Sequence, residues 1–137
     1  MNKRVLLLSA ASAALLSGPV LLPVHADNLD ITSATKEAVK TSAAANSSAG
    51  DITIETTGSI TVKAASPAVT LDSNNKVSNL GTISNQDTAN AVGIGIDTGT
   101  ALTRTGTLSN TGTIDLSGTG TGKTGIQLGG TGNFVGN

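Results

Sequence analysis

Apolar and polar residues alternate in three short stretches of the chain, Asp51-Ile52-Thr53-Ile54-Glu55-Thr56, Ser59-Ile60-Thr61-Val62-Lys63 and Ala68-Val69-Thr70-Leu71-Asp72. A period of two is that of a half-buried β-strand. Thr at the outward positions suits it, because a β-branched side chain packs well on a pleated surface. Between the stretches, and further along the chain, lie Thr57-Gly58, Ser73-Asn74-Asn75, Asp97-Thr98-Gly99 and Ser117-Gly118, residue types that tolerate positive φ and tight turns. The pattern predicts short strands punctuated by corners.

The pattern also repeats. Ser-Asn-x-Gly-Thr-Ile occurs at 78–83 and again at 109–114, an offset of 31 residues. With one inserted residue, Ala91-Val92-Gly93-Ile94-Gly95-Ile96 then aligns with Lys123-Thr124-Gly125-Ile126-Gln127-Leu128, so each unit carries a second apolar strand after the first. A period of this size predicts a solenoid, in which each unit buries its apolar face only against its neighbours. The expected fold is all-β, a right-handed parallel β-helix segment after a cleavable signal peptide. Residues 1–26 form the signal peptide, 27–49 an N-terminal cap or linker, and 50–137 the repeat segment, which stops partway through a repeat. Within 27–49, Ser33 to Lys40 fits a short capped helix, while Ile31, Val39 and the following Ala-Ser-Asn stretch fit an irregular strand covering the first layer. The cap is the favoured reading, because solenoid ends need cover for their strand edges.

Composition narrows the core. Among 137 residues there are 17 Gly, about 35 Ser plus Thr, and one aromatic, Phe134. Aromatics bury about 150–250 Å² each in ordinary cores, so the interior here rests on Ile, Val, Leu and Ala. A narrow stack repeating every ~4.8 Å accommodates those side chains, and outward Thr, Ser and Asn can form ladders. The competing reading is a Gly/Thr-rich segment without a fixed fold, weightiest over Thr98 to Asn137, because Gly-rich strands specify register poorly.

Charge and reactive residues exclude several functions. Charged residues make up 12% of the chain, the formal net charge is −1, and no basic cluster follows Arg4, so nucleic-acid binding lacks an electrostatic footprint. With no Cys and a single His25, disulfides, thiolate chemistry and multi-histidine metal centres are excluded.

The first residues read as an address. Lys3 and Arg4 precede an apolar run from Val5 to Leu16, and the segment ends in Pro23-Val24-His25-Ala26, the three parts of a secretory signal peptide. Val24 and Ala26 occupy the two positions the peptidase reads, which places cleavage between Ala26 and Asp27. The other reading is a membrane anchor, since Val5 to Val24 has the length of a spanning helix. Ser9, Ser12, Ser17, Gly18, Pro19 and Pro23 weaken it. The mature part, Asp27 to Asn137, carries six Lys plus Arg against nine Asp plus Glu, a net charge of −3. It contains no second apolar stretch of membrane length.

Gly50-Asp51-Ile52-Thr53-Ile54, Gly58-Ser59-Ile60-Thr61-Val62 and Pro67 through Asn79, followed by Gly-Thr-Ile-Ser-Asn and Ala-Val-Gly-Ile, resemble the start of the passenger region of Gram-negative autotransporters. The resemblance covers the signal segment and residues 50–137, and its motifs are compositional. It implies an N-terminal signal, a long right-handed β-helix and a C-terminal outer-membrane β-barrel that carries the passenger to the cell surface. The lack of Cys agrees with it, since such passengers cross the outer membrane largely unfolded. A barrel needs at least eight strands of about 9–11 residues, which this chain does not contain. The chain is therefore expected to be a fragment of a longer product or a truncated relic.

Several motifs imitate sites. Ser117-Gly118-Thr119-Gly120-Thr121-Gly122-Lys123-Thr124 imitates a P-loop, but Ser117 stands where the first Gly is needed and Gly125-Ile126-Gln127-Leu128-Gly129-Gly130 cannot begin the helix that aims N–H groups at phosphates. Gly120-x-Gly122-x-x-Gly125 matches the dinucleotide fingerprint without a helix or the later acidic residue. Ser33-x-x-Lys36 with Lys123-Thr124-Gly125 matches serine acyl-transferase motifs, at a frequency expected by chance in a Ser-rich chain. Gly129-Gly130-Thr131-Gly132-Asn133-Phe134 starts like a calcium-binding nonapeptide with Phe134 in a ligand position. Asp72-Ser73-Asn74-Asn75-Lys76 lacks the Gly and Glu of an EF-hand loop. Asn46-Ser47-Ser48 is a glycosylation acceptor only on a eukaryotic secretory route. No catalytic, metal or cofactor-binding residue is assigned and no cofactor is expected.

Three functional classes follow. The expected one is a non-enzymatic exported or surface protein, the N-terminal part of an autotransporter passenger with an adhesin-like role. It would pass from the periplasm to the cell surface or beyond. Its partners would be the export machinery, a host or cell-surface ligand and, in the full-length parent, the outer-membrane β-barrel. The alternatives are a non-functional or disordered secreted fragment and a polysaccharide-acting enzyme on a β-helix scaffold. The enzyme would need clustered carboxylates with Arg or Lys on one face, whereas Asp51, Asp72, Asp87, Asp97 and Asp115 are mostly turn-adjacent singles and Arg104 is the only mature Arg.

Overall fold

The structure is a computed structural model that describes residues 28–99, 104–131 and 134–136. The signal segment, with the junction at Ala26 and Asp27, lies outside the described residues. Thirteen strands are described, and every pairing between them is parallel. They are too short to bury a face alone, and each gains its backbone partners from the strand one circuit away.

The chain visits three sheets in turn. The first sheet runs β1 (Leu29–Ile31), β4 (Ile52–Ile54), β7 (Lys76–Asn79), β10 (Arg104–Asn110), β13 (Phe134–Gly136). The second runs β2 (Ala34–Thr35), β5 (Ser59–Val62), β8 (Thr82–Asn85), β11 (Thr113–Asp115). The third runs β3 (Val39–Lys40), β6 (Pro67–Leu71), β9 (Val92–Asp97), β12 (Thr124–Gly129). The architecture is thus all-β, three parallel sheets built by repeated circuits of the chain.

The 31-residue repeat is the pairing register itself. Val77 pairs with Leu108 and Ile83 with Ile114, while the inserted residue appears as Ile94 opposite Ile126. The earlier circuits are shorter, with Leu29 opposite Ile52 and Ile52 opposite Val77. Much of the difference sits in the corner between the second and third sheets, which grows from 36–38 through 63–66 and 86–91 to 116–123. Strand registry is conserved between circuits of unequal length because corners can bulge outward into solvent, whereas a strand shifted by one residue would turn its apolar set outward.

Residues 29–40, within the segment read as a cap or linker, supply one strand to each sheet and form the first described circuit, paired with β4, β5 and β6. The short helix considered for Ser33 to Lys40 does not form. Eight residues nucleate a helix poorly, and Ala34–Thr35 and Val39–Lys40 find ready-made partners in β5 and β6. The only helical turn among the described residues is a 3-10 turn at Thr41–Ala43. It leads to a tight turn in which Asn46 (φ 47°) and Ser47 (φ 71°) are left-handed and Ala45 bridges Ser48.

The interior is aliphatic. Ile52, Ile54, Ile60, Val69, Val77, Ile83 and Ile94 are fully buried and form one cluster, against which Leu29, Val39, Leu108 and Ile114 pack in part. Inward positions stack in columns, among them Ile60–Ile83–Ile114 and Val69–Ile94–Ile126. The corner between the first and second sheets is tight for the same reason in three circuits. A Cβ on Gly58, Gly81 or Gly112 would lie within 1.9–2.3 Å of a carbonyl oxygen, that of Ile31, Glu55 and Gly81 respectively. The Gly of the Ser-Asn-x-Gly-Thr-Ile repeat is therefore required by the approach of one circuit to the next.

Two outcomes test this packing by far-UV circular dichroism and thermal melting. Ile83→Asp, which places an unpaired charge in the column, should cost on the order of 3–5 kcal/mol and abolish the cooperative transition. Ile114→Asp, at a partly exposed position, should cost less. Gly81→Ala should cost about 1–3 kcal/mol through forced displacement of the neighbouring backbone. An unchanged melting temperature in Ile83→Asp would contradict the inward assignment, and in Gly81→Ala the close approach.

Candidate functional site

The groups capable of chemistry are concentrated at the corners, and the structure shows how each is held. Asp72 Oδ1 accepts hydrogen bonds from Ser42 N–H (2.7 Å) and Thr41 Oγ1 (3.1 Å), and its Oδ2 accepts one from Ser42 Oγ (2.7 Å). Asp72 N–H in turn donates to Thr41 Oγ1 (3.0 Å), and Thr41 is fully buried. Asp51 Oδ1 accepts from Lys76 N–H (2.9 Å) and Asn75 Nδ2 (3.2 Å). Asp97 Oδ1 accepts from Gly99 N–H (2.9 Å). Each carboxylate satisfies N–H groups that a corner leaves unpaired.

The corner between the second and third sheets carries the most polar links. Asp87 Oδ2 accepts from Lys63 Nζ (2.9 Å) in the circuit before it, and Asp87 Oδ1 accepts from Thr119 N–H (3.1 Å) in the circuit after it. Asp115 Oδ1 accepts from Ser117 N–H (2.9 Å), and its Oδ2 accepts from Gln86 Nε2 (2.6 Å). Left-handed residues recur here, with Gly118 (φ 86°) above Asp87 (φ 55°) and Gly122 (φ 72°) above Asn90 (φ 56°). The Lys63 ammonium and then the Thr119 N–H hold the Asp87 carboxyl below the usual carboxylate range. The Ser117 backbone N–H and hydroxyl do the same for Asp115, with help from Gln86.

The imitated motifs acquire specific places. The P-loop look-alike is the corner at 116–123, and it leads into β12, a strand. Lys123 Nζ donates to the carbonyls of Ser117 and Gly118, both at 2.9 Å, so the ammonium closes its own loop. Gly120 and Gly122 of the dinucleotide-like pattern let this loop lie against Ala89 and Asn90. Ser33 and Lys36 sit in the first circuit and Lys123-Thr124-Gly125 in the fourth. The side-chain oxygens of Asp72, Asn74 and Asn75 accept from protein donors, among them Thr105 N–H on Asn74 Oδ1 (3.0 Å) and Ser73 Oγ on Asn75 Oδ1 (2.8 Å). Asp51, Asp72 and Asp97 lie where successive circuits return from the third sheet to the first, and Asp87 and Asp115 at the corner between the second and third sheets; no group of three or more His, Cys, Asp or Glu residues that could hold a metal ion occurs among the described residues.

Two buried asparagines organise the stack and were not singled out by sequence reasoning. Asn85, fully buried, donates from Nδ2 to the carbonyls of Ala64, Ser66 and Val92 (2.9–3.0 Å) and accepts from Ala64 N–H at Oδ1 (3.0 Å), tying one corner to the next. Position 116, one period on, is Leu, so no repeat flags it. Asn79, also fully buried, donates from Nδ2 to Asn110 Oδ1 (2.7 Å) and to the Thr113 carbonyl (3.2 Å). That pair is the Asn of the repeat, and its recurrence was the available signal.

Shallow recesses lie among the described residues. One, of about 350 Å³, lies at the first circuit against Leu29, Ile31, Thr35, Glu37 and Val39. Another, of about 220 Å³, is bounded by Pro67, Thr70, Gly95, Asp97 and Gln127. The arrangement as a whole offers repeated hydroxyl, amide and backbone groups suited to surface contact.

Because Asp87 and Asp115 have depressed folded-state values, their contribution to stability is present above the unfolded carboxylate value of about 3.9 and is lost as pH falls through the folded values. The melting temperature should hold above about pH 5 and fall below about pH 4, and Asp87→Asn with Asp115→Asn should flatten that acid limb. An acid limb unaltered in the double variant would remove these corners from the acid response. Comparisons with protein-family models, with curated proteins and with solved structures gave no match.

Proposed function

We propose that this chain is an exported, non-enzymatic structural and interaction module, the N-terminal part of an autotransporter passenger with an adhesin-like role. Its three-sheet stack is a right-handed parallel β-helix, the hand that parallel crossover connections adopt in nearly all sheets. Residues 1–26 direct export and are removed between Ala26 and Asp27, and the module travels through the periplasm to the cell surface. Its partners are the export machinery, a surface ligand and the outer-membrane β-barrel of the parent protein.

The observation that carries this reading is the in-register recurrence of strands and corners over four circuits, with the carboxylates of Asp51, Asp72, Asp87, Asp97 and Asp115 all engaged in corner hydrogen bonds. Such a surface is extended and repetitive, the form of a binding stalk, and its carboxylates serve the scaffold. The aliphatic, disulfide-free interior also suits a chain that crosses a membrane unfolded and assembles circuit by circuit.

Expression of residues 1–137 in a Gram-negative host, with cell fractionation and intact-mass measurement, tests the export step. The expected product is periplasmic and begins at Asp27. A cytoplasmic product that retains Met1 to Ala26 would overturn it.

A further inference from the structure

The outer face of the third sheet, on the side of the stack, carries a recess that the scaffold does not fill. One register column of that sheet reads Lys40, Thr70, Gly95, Gln127, a residue from each circuit. Thr70 alternates with the buried Val69 and Leu71, so the column points away from the core. Gly95 is the floor, with Thr70 and Gln127 one layer to either side, about 10 Å apart across two layers. Asp97 stands two residues beyond Gly95 on the same face, about 7 Å along the strand, and pairs with Gly129. Pro67 forms a wall, since a Cβ on Gly95 would lie 2.6 Å from its Cγ. The space so bounded is about 220 Å³. It is smaller than the ~300–1,000 Å³ of sites for drug-sized molecules and suits a single small ring.

The groups around this floor are polar and uncommitted. Asp97 Oδ1 accepts from Gly99 N–H at 2.9 Å, and its Oδ2 has no protein donor among the described residues. Asp72, Asp87 and Asp115 differ, because both oxygens of each are engaged. The Thr70 hydroxyl and the Gln127 amide likewise make no hydrogen bond among the described residues. Gly129 is a further observation. Its φ is not left-handed, and a Cβ there would meet nothing closer than the Ile96 carbonyl oxygen at 3.9 Å. Neither a turn nor packing requires glycine at that position, unlike Gly58, Gly81 and Gly112. Glycine weakens a strand, and what it provides here is an open approach to Asp97.

A ligand matched to these groups is a compact ring bearing several hydroxyls and one C–H face. A carboxylate accepts from hydroxyls, an amide side chain both donates and accepts, and a threonine hydroxyl does either. The Pro67 ring and the Gly95 backbone supply the apolar contact. The charged side chain of the lining is Asp97, which disfavours an anionic ring. We propose that this recess binds one neutral hexopyranose unit of a surface saccharide, with Asp97 Oδ2 accepting from a ring hydroxyl and Thr70 and Gln127 holding the opposite edges. The proposal gives a chemical class to the surface ligand of the adhesin-like reading and rests on that interaction role.

The probes are the methyl glycosides of glucose, galactose, mannose and N-acetylglucosamine, each titrated into the purified full chain and followed by saturation-transfer difference NMR. Saturable transfer to at least one of them is expected, and none to the methyl glycoside of glucuronic acid. Gly129→Met, which fills the recess where no backbone opposes a side chain, should abolish transfer and leave the melting temperature unchanged. Asp97→Asn, which keeps Oδ1 for Gly99 N–H, should weaken binding at least about fivefold through loss of a charge-assisted hydrogen bond. Gln127→Ala, at an exposed position that makes no contact in the fold, should weaken it similarly. Absence of saturable transfer to all four neutral glycosides would overturn the proposal. Binding unaltered in Asp97→Asn and Gln127→Ala, or equal binding of the glucuronide, would overturn it too. The titration uses purified protein, so a failed export step and a failed saccharide site give separate results.

Discussion

Parallel backbone pairing between successive circuits is the interaction on which everything else in this protein depends. Strands such as Ala34–Thr35 or Ile52–Ile54 have no stability of their own, and a single circuit encloses almost nothing. Once one circuit lies in register on the next, each strand satisfies its N–H and C=O groups and each Ile, Val or Leu meets its counterpart a layer away. An aliphatic core without aromatic bulk is sufficient because it needs only to fill a narrow column. Val69 above Val39 and below Ile94 is the pattern in small.

That constraint passes to the corners, where the chain must turn without losing register. The Gly58, Gly81 and Gly112 corner solves it by removing side chains, since carbonyl oxygens of the preceding circuit occupy the space a Cβ would need. The corner between the second and third sheets solves it differently. It lengthens along the stack and is fastened by side chains, with Lys63 and Thr119 on Asp87, Gln86 on Asp115, and Asn85 clamping Ala64 and Ser66. The carboxylates of Asp51, Asp72, Asp87, Asp97 and Asp115 thus act as hydrogen-bond acceptors for backbone that strands cannot serve. The exposed Lys63–Asp87 pair adds little energy by itself, and its importance is positional.

The chemistry of an inward column also changes along the described circuits, from Ile31 and Ile54 to Asn79 and Asn110. The strands also pair Thr, Ser and Gly between circuits, as Thr53 with Ser78, Thr61 with Ser84 and Thr70 with Gly95, which places surface chemistry under the same register as the core.

The alternation at Ile52-Thr53-Ile54 and Ile60-Thr61-Val62 and the 31-residue recurrence of Ser-Asn-x-Gly-Thr-Ile already determine, from sequence alone, that the chain is built of short strands in a repeating stack with Ile83 inward. They do so because period two and a fixed offset are local properties of the chain. Residues 29–40 are not legible in the same way, for strands of two or three residues carry no measurable period and are defined only by β4, β5 and β6 lying on them. The shorter early circuits, the role of Asn85 and the capture of Asp72 by Thr41 and Ser42 likewise join residues 7 to 31 positions apart. Corner length varies freely in sequence while strand register does not. Only the tertiary structure therefore decided which residues meet between circuits, because that choice is made by stacking and not by any local preference of the chain.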